Sequence, residues 1–151
     1  MSAMMLIHHI LESAQRRLAV LSREASIVDA AEILVNPDTP LVVVCDEAGV
    51  AVGVVSSTDI VKAFSRARGE ATHVNAEDIM TRLVFSCDAN QTLQSVWTSM
   101  SAHSLRCAPV LDTDRKPQGV VHAREIVLAL LDEVTHEELL LRDYVLGIGY
   151  Q

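Results

Sequence analysis

Short apolar runs and segments with helical spacing alternate along both halves of the chain, and this alternation predicts a mixed α/β fold. Apolar runs of about four to eight residues are typical of buried strands, whereas apolar residues at every third or fourth position indicate helices that pack one face on a sheet. Ser26 and Thr92 stand where the first helix of each half begins, and both residue types are favourable N-caps. Each half therefore has the predicted order β-α-β-β-α. The predicted strands lie at 18–21, 41–46 and 52–55 and at 83–86, 108–112 and 119–121, and the last helices at 57–66 and 123–133.

The two halves are copies of one another. The stretch GVVSSTDIV at 53–61 returns as GVVHAREIV at 119–127, and the same offset of 66 residues carries Val44 onto Val110. One unit of this size cannot cover both faces of its own sheet. Two copies packed together are therefore expected to form one core.

The last helix of the second half is apolar on more than one face. Its segment EIVLALL, at 125–131, leaves little polar surface for solvent, and a helix of this kind is buried on several sides. We expect it to form a homodimer contact, and the alternative is a crowded core within one chain. Residues 135–151 lie outside the repeat, and their first part is expected to be an amphipathic helix that Gly147 ends. This extension could pack on the rest of the chain, pack on a second copy or bind a target protein, and all three alternatives remain open.

Composition narrows the function classes. Half of the 151 residues are hydrophobic but only 3% are aromatic, so the core must be aliphatic. The net charge of −8 and the lack of a basic face do not fit a protein that binds nucleic acid or anionic membranes. No apolar run is long enough to span a bilayer, and the N-terminal segment makes a poor signal peptide. Cys45, Cys87 and Cys107 show no CxxC spacing, which fits reduced thiols. A cytoplasmic protein is therefore expected.

The repeated nine residues place a hydroxyl and an acid one helical turn apart where a helix starts. Ser56 and Asp59 have the spacing of a capping box, and a capping box needs no ligand. The same geometry suits a nucleoside phosphate. The helix start offers unpaired N–H groups to a phosphate, Ser56 adds a hydroxyl, and Asp59 can accept hydrogen bonds from two ribose hydroxyls. Both interpretations stay open on these residues alone.

The chain resembles a tandem pair of cystathionine-β-synthase-type (CBS) domains, a family of regulatory modules that bind adenosine compounds. The element order, the two GVV motifs and the stretches EDIMTRLVFS and APVLD carry the resemblance. It implies two units related by a pseudo-two-fold axis, packed face to face with two clefts between them, and a disk-like homodimer. The implied domains are 10–68 and 76–134, followed by a C-terminal extension at 135–151.

The resemblance also implies the residues of the first cleft. They are Ser56, Thr58, Asp59, Val20, Leu41 and Val42. The hydroxyl residues and the aspartate of this set are expected to contact phosphate and ribose. The three apolar residues are expected, by their positions, to flank the base.

The second cleft departs from the family pattern. His122 stands in place of the hydroxyl residue and Glu125 in place of the aspartate. Histidine is a poorer and bulkier cap, and glutamate carries its carboxylate one methylene further. Arg124 could still meet a phosphate, and Ala108 and Pro109 are the residues expected beside a base. We expect this cleft to be empty or weak; a different ligand and a pH response through His122 are the alternatives.

Three functions are kept as hypotheses. The first is a stand-alone sensor that binds AMP, ATP, NAD or a related adenosine ligand and regulates an unknown protein. The second is a dimeric interaction scaffold with vestigial clefts, and the third is an enzyme whose histidines hold a metal. No Gly-rich phosphate loop, G-x-S-x-G motif or H-x-x-x-H pattern occurs, so neither catalysis nor a tightly bound cofactor is expected. His8 and His9 are expected on the surface.

Overall fold

The computed structural model describes residues 4–67 and 73–149. It shows two β-sheets flanked by helices, and the predicted α/β class is confirmed. In chain order the elements are a 3-10 turn (Ile7–Ile10), α1 (Leu11–Arg16), β1 (Val20–Ser22), α2 (Ile27–Leu34), β2 (Val42–Cys45), β3 (Ala51–Val55), α3 (Ser57–Ala67), α4 (Ala76–Ile79), β4 (Thr81–Arg82), α5 (Leu93–Ala102), β5 (Cys107–Leu111), β6 (Pro117–His122) and α6 (Ala123–Gly149).

The first sheet has four strands in the order β1-β2-β3-β4. β1 runs parallel to β2, with Leu21 opposite Val44, and β3 is antiparallel to both β2 and β4. α2 begins at the predicted cap, where the Ser26 hydroxyl accepts the Asp29 N–H. Ile27, the first residue of α2, is fully buried among the apolar side chains between the sheet and its helices. The first unit therefore forms as its apolar pattern predicts.

The predicted strand at 83–86 is wrong. β4 lies just before it and extends the first sheet, and the Leu83 N–H donates to the Val52 carbonyl, so this part of the apolar run pairs with the first unit. The second unit keeps only a single parallel bridge, between Cys87 and Val110, at the place where the first unit has β1. Its sheet is otherwise the antiparallel pair β5-β6.

The N-terminal segment packs on the second unit. Ile7 and Ala14 are fully buried in the same apolar cluster as Leu93, Val121 and Ile126. α1 thus packs on β6 of the second unit, and β4 pairs with β3 of the first. Each unit is completed by the segment that leads into the other unit. The boundaries expected at residues 10, 76 and 134 remain predictions; residues 68, 150 and 151 lie outside the described residues.

Two glycines at repeat-related positions allow these close approaches. A Cβ atom on Gly53 would lie 2.9 Å from the Thr81 carbonyl oxygen, and one on Gly119 would lie 2.9 Å from the carbonyl carbon of Ala14. Both distances are too short for contact with backbone atoms. Glycine is therefore required where β4 and α1 approach the sheets.

A third apolar cluster joins the two units. Leu41, Val43 and Ala51 of the first unit are buried together with Leu111 and Val120 of the second. The predicted core cysteines also contribute: Cys45 is buried in this cluster and Cys107 is half-buried against it. The two sheets share one core, and this sharing brings the starts of α3 and α6 to a common cleft.

The predicted end of the last helix is wrong. α6 continues without a break to Gly149, because no proline or glycine interrupts it between 133 and 147 and most of the intervening residues favour helix. Gly147 does not end it. Ile126 is fully buried, whereas Leu128 and Leu131 are more than half exposed. One face of α6 therefore holds the second unit and another is uncovered.

Gly119→Ala is expected to lower the free energy of unfolding by about 1–3 kcal/mol, because the added methyl group must displace the backbone of α1. Urea denaturation followed by circular dichroism measures the change. Gln118→Ala, at the neighbouring half-buried position of β6, is the matched control. Equal stability of the two variants would contradict the proposed close packing of α1 on β6.

Candidate functional site

Residues from both units line one cleft of about 580 Å³, here called the central cleft. Its lining comes from the approach to β2, the start of α3, the approach to β5 and the end of β6. The residues are Pro40, Leu41, Ser56, Ser57, Thr58, Ser104, Leu105, Arg106, Cys107 and His122. The cleft therefore combines apolar surface with hydroxyls, a helix start and one guanidinium group.

Two further clefts open on either side. The Asp59 cleft, of about 500 Å³, is lined by Asp59, Lys62, Ala63, Arg66, Val74, Asp78, Ile79, Met80 and Thr81. The Arg17 cleft, of about 480 Å³, is lined by Ser13, Arg16, Arg17, Asn36, Pro37, Asp38, Thr39, Pro40 and His122. The first lies beside the motif of the first unit and the second beside the motif of the second unit.

The acid of the first motif is held by three donors. Asp59 Oδ2 accepts the Ser56 N–H at 2.9 Å and the Ser56 hydroxyl at 3.1 Å, and Asp59 Oδ1 accepts the Thr81 hydroxyl at 3.1 Å. The carboxylate thus makes the backward half of a capping box. Two carboxylate oxygens offer about four acceptor positions, and Asp59 is only half-buried. It keeps room to accept a hydrogen bond from a ligand hydroxyl.

Thr81 is a contact that sequence reasoning missed. It belongs to β4, which has only two residues and was not predicted as a strand. Its hydroxyl reaches Asp59 across 22 positions of sequence. No local spacing signals this contact, because it depends on how β4 joins the edge of the first sheet.

The other residues expected in the first cleft are only partly brought together. Thr58 is exposed and lines the central cleft, and Leu41 lines it as well. Val42 is fully buried, as are the other residues of β2, and it does not line this cleft. Val20 lies on the edge strand β1, 43% exposed, and does not line this cleft. The side chains of Val42 and Val20 are therefore not part of the central cleft. Leu105, from the other unit, lines it together with Leu41.

His122 caps α6 through its ring. Its Nδ1 accepts the Arg124 N–H at 3.0 Å, so the neutral ring carries its proton on Nε2. Burial lowers the pKa of His122 below its usual value, and the neighbouring Arg17 lowers it further against the opposing effect of Glu125. The ring nitrogen thus takes the role that a side-chain oxygen has at the starts of α2 and α5.

Glu125 does not repeat the role of Asp59. Its Oε2 accepts the Ser13 hydroxyl at 2.9 Å and forms an ion pair with Arg17, while its Oε1 is buried without a hydrogen-bond partner. The longer side chain therefore reaches α1 and joins it to α6. The change from aspartate to glutamate replaces a cap with a tether between helices.

The other residues expected in the second cleft differ in position. Ala108 and Pro109 are buried within β5 and their side chains line none of the three clefts. Arg106 and Cys107, just before them, line the central cleft in their place. Arg124 is exposed and lies with Arg17 and His122 around a smaller cleft.

The described residues show little sign of catalytic chemistry. Burial raises the pKa of the Cys87 thiol to about 12 and that of the Cys107 thiol to about 11, so neither is a ready nucleophile. Within residues 4–67 and 73–149, no group of three or more His, Cys, Asp or Glu side chains is placed to hold a metal ion. In the same residues no helix, α6 included, has both the length and the apolar character needed to cross a membrane. His8 and His9 are exposed, as predicted.

Two repeat-related α/β units that share one core and line one cleft define a paired-domain module. The chain belongs to the CBS domain family, whose sequence model matches residues 9–66 and 76–132. It is 32% identical over 101 residues to the L-aspartate semialdehyde sulfurtransferase of Methanocaldococcus jannaschii, an alignment that covers 67% of this chain and 19% of that protein. The chain spans about a fifth of the length of the curated relatives it matches.

Solved structures show the same fold. A CBS domain pair in complex with 5′-methylthioadenosine and S-adenosyl-L-methionine aligns with a TM-score of 0.71 at 27% identity, covering 87% of this chain and 98% of that one. CBSX2 of Arabidopsis thaliana in complex with AMP aligns with a TM-score of 0.69 at 24% identity, covering 85% of this chain and 97% of that one. The expected CBS-pair architecture is therefore confirmed.

Arg17→Ala is expected to lower the free energy of unfolding by about 2 kcal/mol, because it leaves a poorly solvated Glu125 carboxylate without its cation. Arg16→Ala is the matched control, since Arg16 pairs with Glu12 on the exposed face of the same helix and such pairs contribute little. Urea denaturation compares the two. Removing both charges, in Arg17→Met with Glu125→Gln, should recover part of the loss; similar stability of the two single arginine variants would show that the ion pair does not hold α1.

Proposed function

We propose that the protein is a regulatory module whose paired CBS domains bind an adenosine-containing ligand between them. The observation that carries this proposal is the half-buried Asp59 carboxylate at the start of α3, held in place by Ser56 and Thr81. One ribose hydroxyl can donate to the acceptor position that these donors leave, and the vicinal hydroxyl can replace the Ser56 or Thr81 hydroxyl. Asp59 lines the Asp59 cleft, whereas Ser56, Ser57 and Thr58 line the central cleft. A phosphate in the central cleft would meet the Ser56 hydroxyl and the N–H groups of the first turn of α3.

The cleft dimensions and the related structures support the same ligand class. A volume of about 580 Å³ lies within the range of small-molecule sites. Pro40, Leu41 and Leu105 supply apolar surface for a base. The related CBS pairs were solved with AMP, 5′-methylthioadenosine or S-adenosylmethionine, and the moiety common to these three ligands is adenosine.

Regulation follows from where the cleft lies. Its lining comes from both units, so a ligand there contacts both at once. A ligand shifts a conformational equilibrium only by as much as it prefers one state. The preferred state would be one with the two units drawn together, and the regulated partner would recognise the helices that move with them. The three unpaired thiols support a cytoplasmic setting for this activity.

An interaction scaffold with vestigial clefts is the second candidate. It is favoured by one observation: the acid of the second motif is already occupied by Arg17 and Ser13. Its other oxygen, Oε1, is buried, so this carboxylate has little capacity to receive a ribose. On this alternative the second motif, and by extension the cleft, has only a structural role.

Titration with AMP by calorimetry tests the ligand proposal. Asp59→Asn is expected to weaken binding by tenfold or more, because a carboxamide accepts from ribose hydroxyls with only one oxygen and without charge. AMP should also raise the melting temperature of the unaltered protein as its concentration exceeds Kd.

Asp29→Asn is the matched control for this experiment. Asp29 stands three residues after the Ser26 cap of α2, the same spacing that relates Asp59 to Ser56, but on an exposed turn that lines none of the three clefts. It should bind AMP like the unaltered protein. If neither AMP nor ATP nor NAD binds, or if both asparagine variants bind alike, the proposed ligand site is refuted and the scaffold is favoured.

We also propose that two copies associate through α6. Leu131, Val134 and Leu141 lie at heptad-like spacing on this helix, and each is 51–65% exposed. Leu128, Leu139 and Leu140 enlarge the apolar surface, each at least 50% exposed. A second copy would cover the face of α6 that the second unit leaves open.

Leu131→Glu with Leu141→Glu is expected to convert a dimer into a monomer, since four carboxylates would then be brought together in a formerly apolar contact. Light scattering coupled to size exclusion measures the mass. Val84→Glu is the control, because Val84 is 76% exposed and lies outside α6. A monomeric unaltered protein, or a leucine variant that keeps the dimer mass, would exclude this interface.

A further inference from the structure

Six positions in the last two thirds of α6 follow a seven-residue repeat, at alternating intervals of three and four residues. They are Leu131, Val134, Glu138, Leu141, Val145 and Ile148. All but one are apolar, and Leu131, Val134 and Leu141 are each 51–65% exposed. This repeat is typical of a seam along which two helices pack as a coiled coil. We call these six positions the α6 seam.

Most of the α6 seam lies beyond residue 132, where the match to the CBS domain model ends. Residues 135–143 are all exposed in the single chain, so the second unit does not cover this part of the helix. A seam that repeats every seven residues along one helix fits a second helix with the same repeat. Another copy of α6 meets this requirement.

The charges beside the α6 seam distinguish the two directions in which a second copy can run. Glu137 and Arg142 are exposed and flank the seam on opposite sides, at the positions where coiled coils form ion pairs between helices. In a parallel pair in register, Glu137 of each copy lies beside Arg142 of the other copy. In an antiparallel pair each of these positions meets its own counterpart, so like charges face one another.

These two charges cannot neutralise each other within one chain. Five residues separate Glu137 from Arg142, which places them about 140° apart around the helix. Among the described residues, Arg142 takes part in no salt bridge. A parallel second copy would therefore supply the acid that this exposed arginine lacks.

Glu138 is the one charged residue of the α6 seam. A polar residue at a seam position lowers the stability of a coiled coil but restricts its register. Glu138 also stands four residues before Arg142, a spacing at which opposite charges on one helix attract. In the parallel pair the same guanidinium group thus lies near Glu138 of its own chain and Glu137 of the other.

We propose that residues 131–148 of α6 form a parallel, in-register coiled coil with the same segment of a second copy, held by two Glu137–Arg142 ion pairs between the chains. This inference rests on the proposed dimer through α6 and adds its direction and register. Because α6 leaves the second unit at the N-terminal end of the seam, a parallel coil places both modules at the same end. The two modules then lie side by side.

Charge reversal tests the ion pairs, with the dimer dissociation constant of the full chain measured by analytical ultracentrifugation. Glu137→Arg and Arg142→Glu should each weaken the dimer about tenfold or more, because each brings like charges together across the seam. The two changes combined should return the dissociation constant to within about threefold of the original, since the pairs re-form with their signs exchanged. Asp132→Arg is the matched control: it makes the same change of charge at an exposed position outside the seam and should leave the dimer intact.

Cross-linking tests the direction. Leu141→Cys should form an intermolecular disulfide under mild oxidation, because in a parallel pair in register this position meets itself across the seam at a distance that a disulfide can bridge. Leu140→Cys is the matched control, since Leu140 is 54% exposed but lies outside the seam. It should run mainly as a monomer on a non-reducing gel.

The results separate this inference from the proposed dimer. If the double charge reversal binds as weakly as the single ones, or if the single reversals leave the dimer unchanged, the parallel arrangement is overturned while the dimer through α6 stands. Equal cross-linking of the two cysteine variants overturns it as well. A monomeric unaltered protein rejects both the dimer and its direction.

Discussion

Leu111 and Val120 of the second unit are buried against Leu41, Val43 and Ala51 of the first, and the geometry of the central cleft depends on that contact. The sheets meet mainly through aliphatic side chains, and the Ala51 N–H adds a hydrogen bond to the Arg115 carbonyl at 3.0 Å. The shape and volume of these side chains determine how closely the units pack, as expected for close-packed interiors. Because α3 and α6 follow directly from β3 and β6, the same contact decides where both helix starts open.

The repeat supplies two equivalent helix starts, and the chain uses them differently. The half-buried Asp59 carboxylate accepts hydrogen bonds from the start of its own helix and from β4. Glu125, one methylene longer, leaves its helix start and reaches α1. His122 replaces the missing cap with a ring nitrogen. Divergence between the copies has therefore redistributed capping, tethering and charge without disturbing the paired fold.

Local chemistry made much of the fold predictable from the sequence. The caps at Ser26 and Thr92 formed as expected, since each hydroxyl accepts an N–H three residues later, and the repeat located both motifs. The long-range pairings were not predictable. β4 joins the first sheet, and α1 covers the second unit; neither leaves a periodic signal, because each depends on which sheet edge is open in the folded protein.

The candidate site likewise contains residues that the sequence predicts and residues that it does not. The sequence identified Ser56, Asp59 and His122, whose roles depend on residues near them in the chain. It missed Thr81 and Arg17, which reach their partners across 22 and 108 positions, and it placed Val42 in the cleft although that side chain is fully buried. In a strand, successive side chains point to opposite faces of the sheet. Which of those faces borders the cleft depends on how the sheet packs in the folded protein.

Because α1 packs on the second unit, the two units of this chain are not independent folding domains. The Arg17 guanidinium donates to the Val120 carbonyl, 103 residues further on, so α1 can reach its final position only after β6 has been synthesised. The second half alone would expose the apolar surface that Ile7 and Ala14 now cover. A cut between the two units would not yield two autonomous modules, and the entropy of loop closure over this distance favours slow assembly.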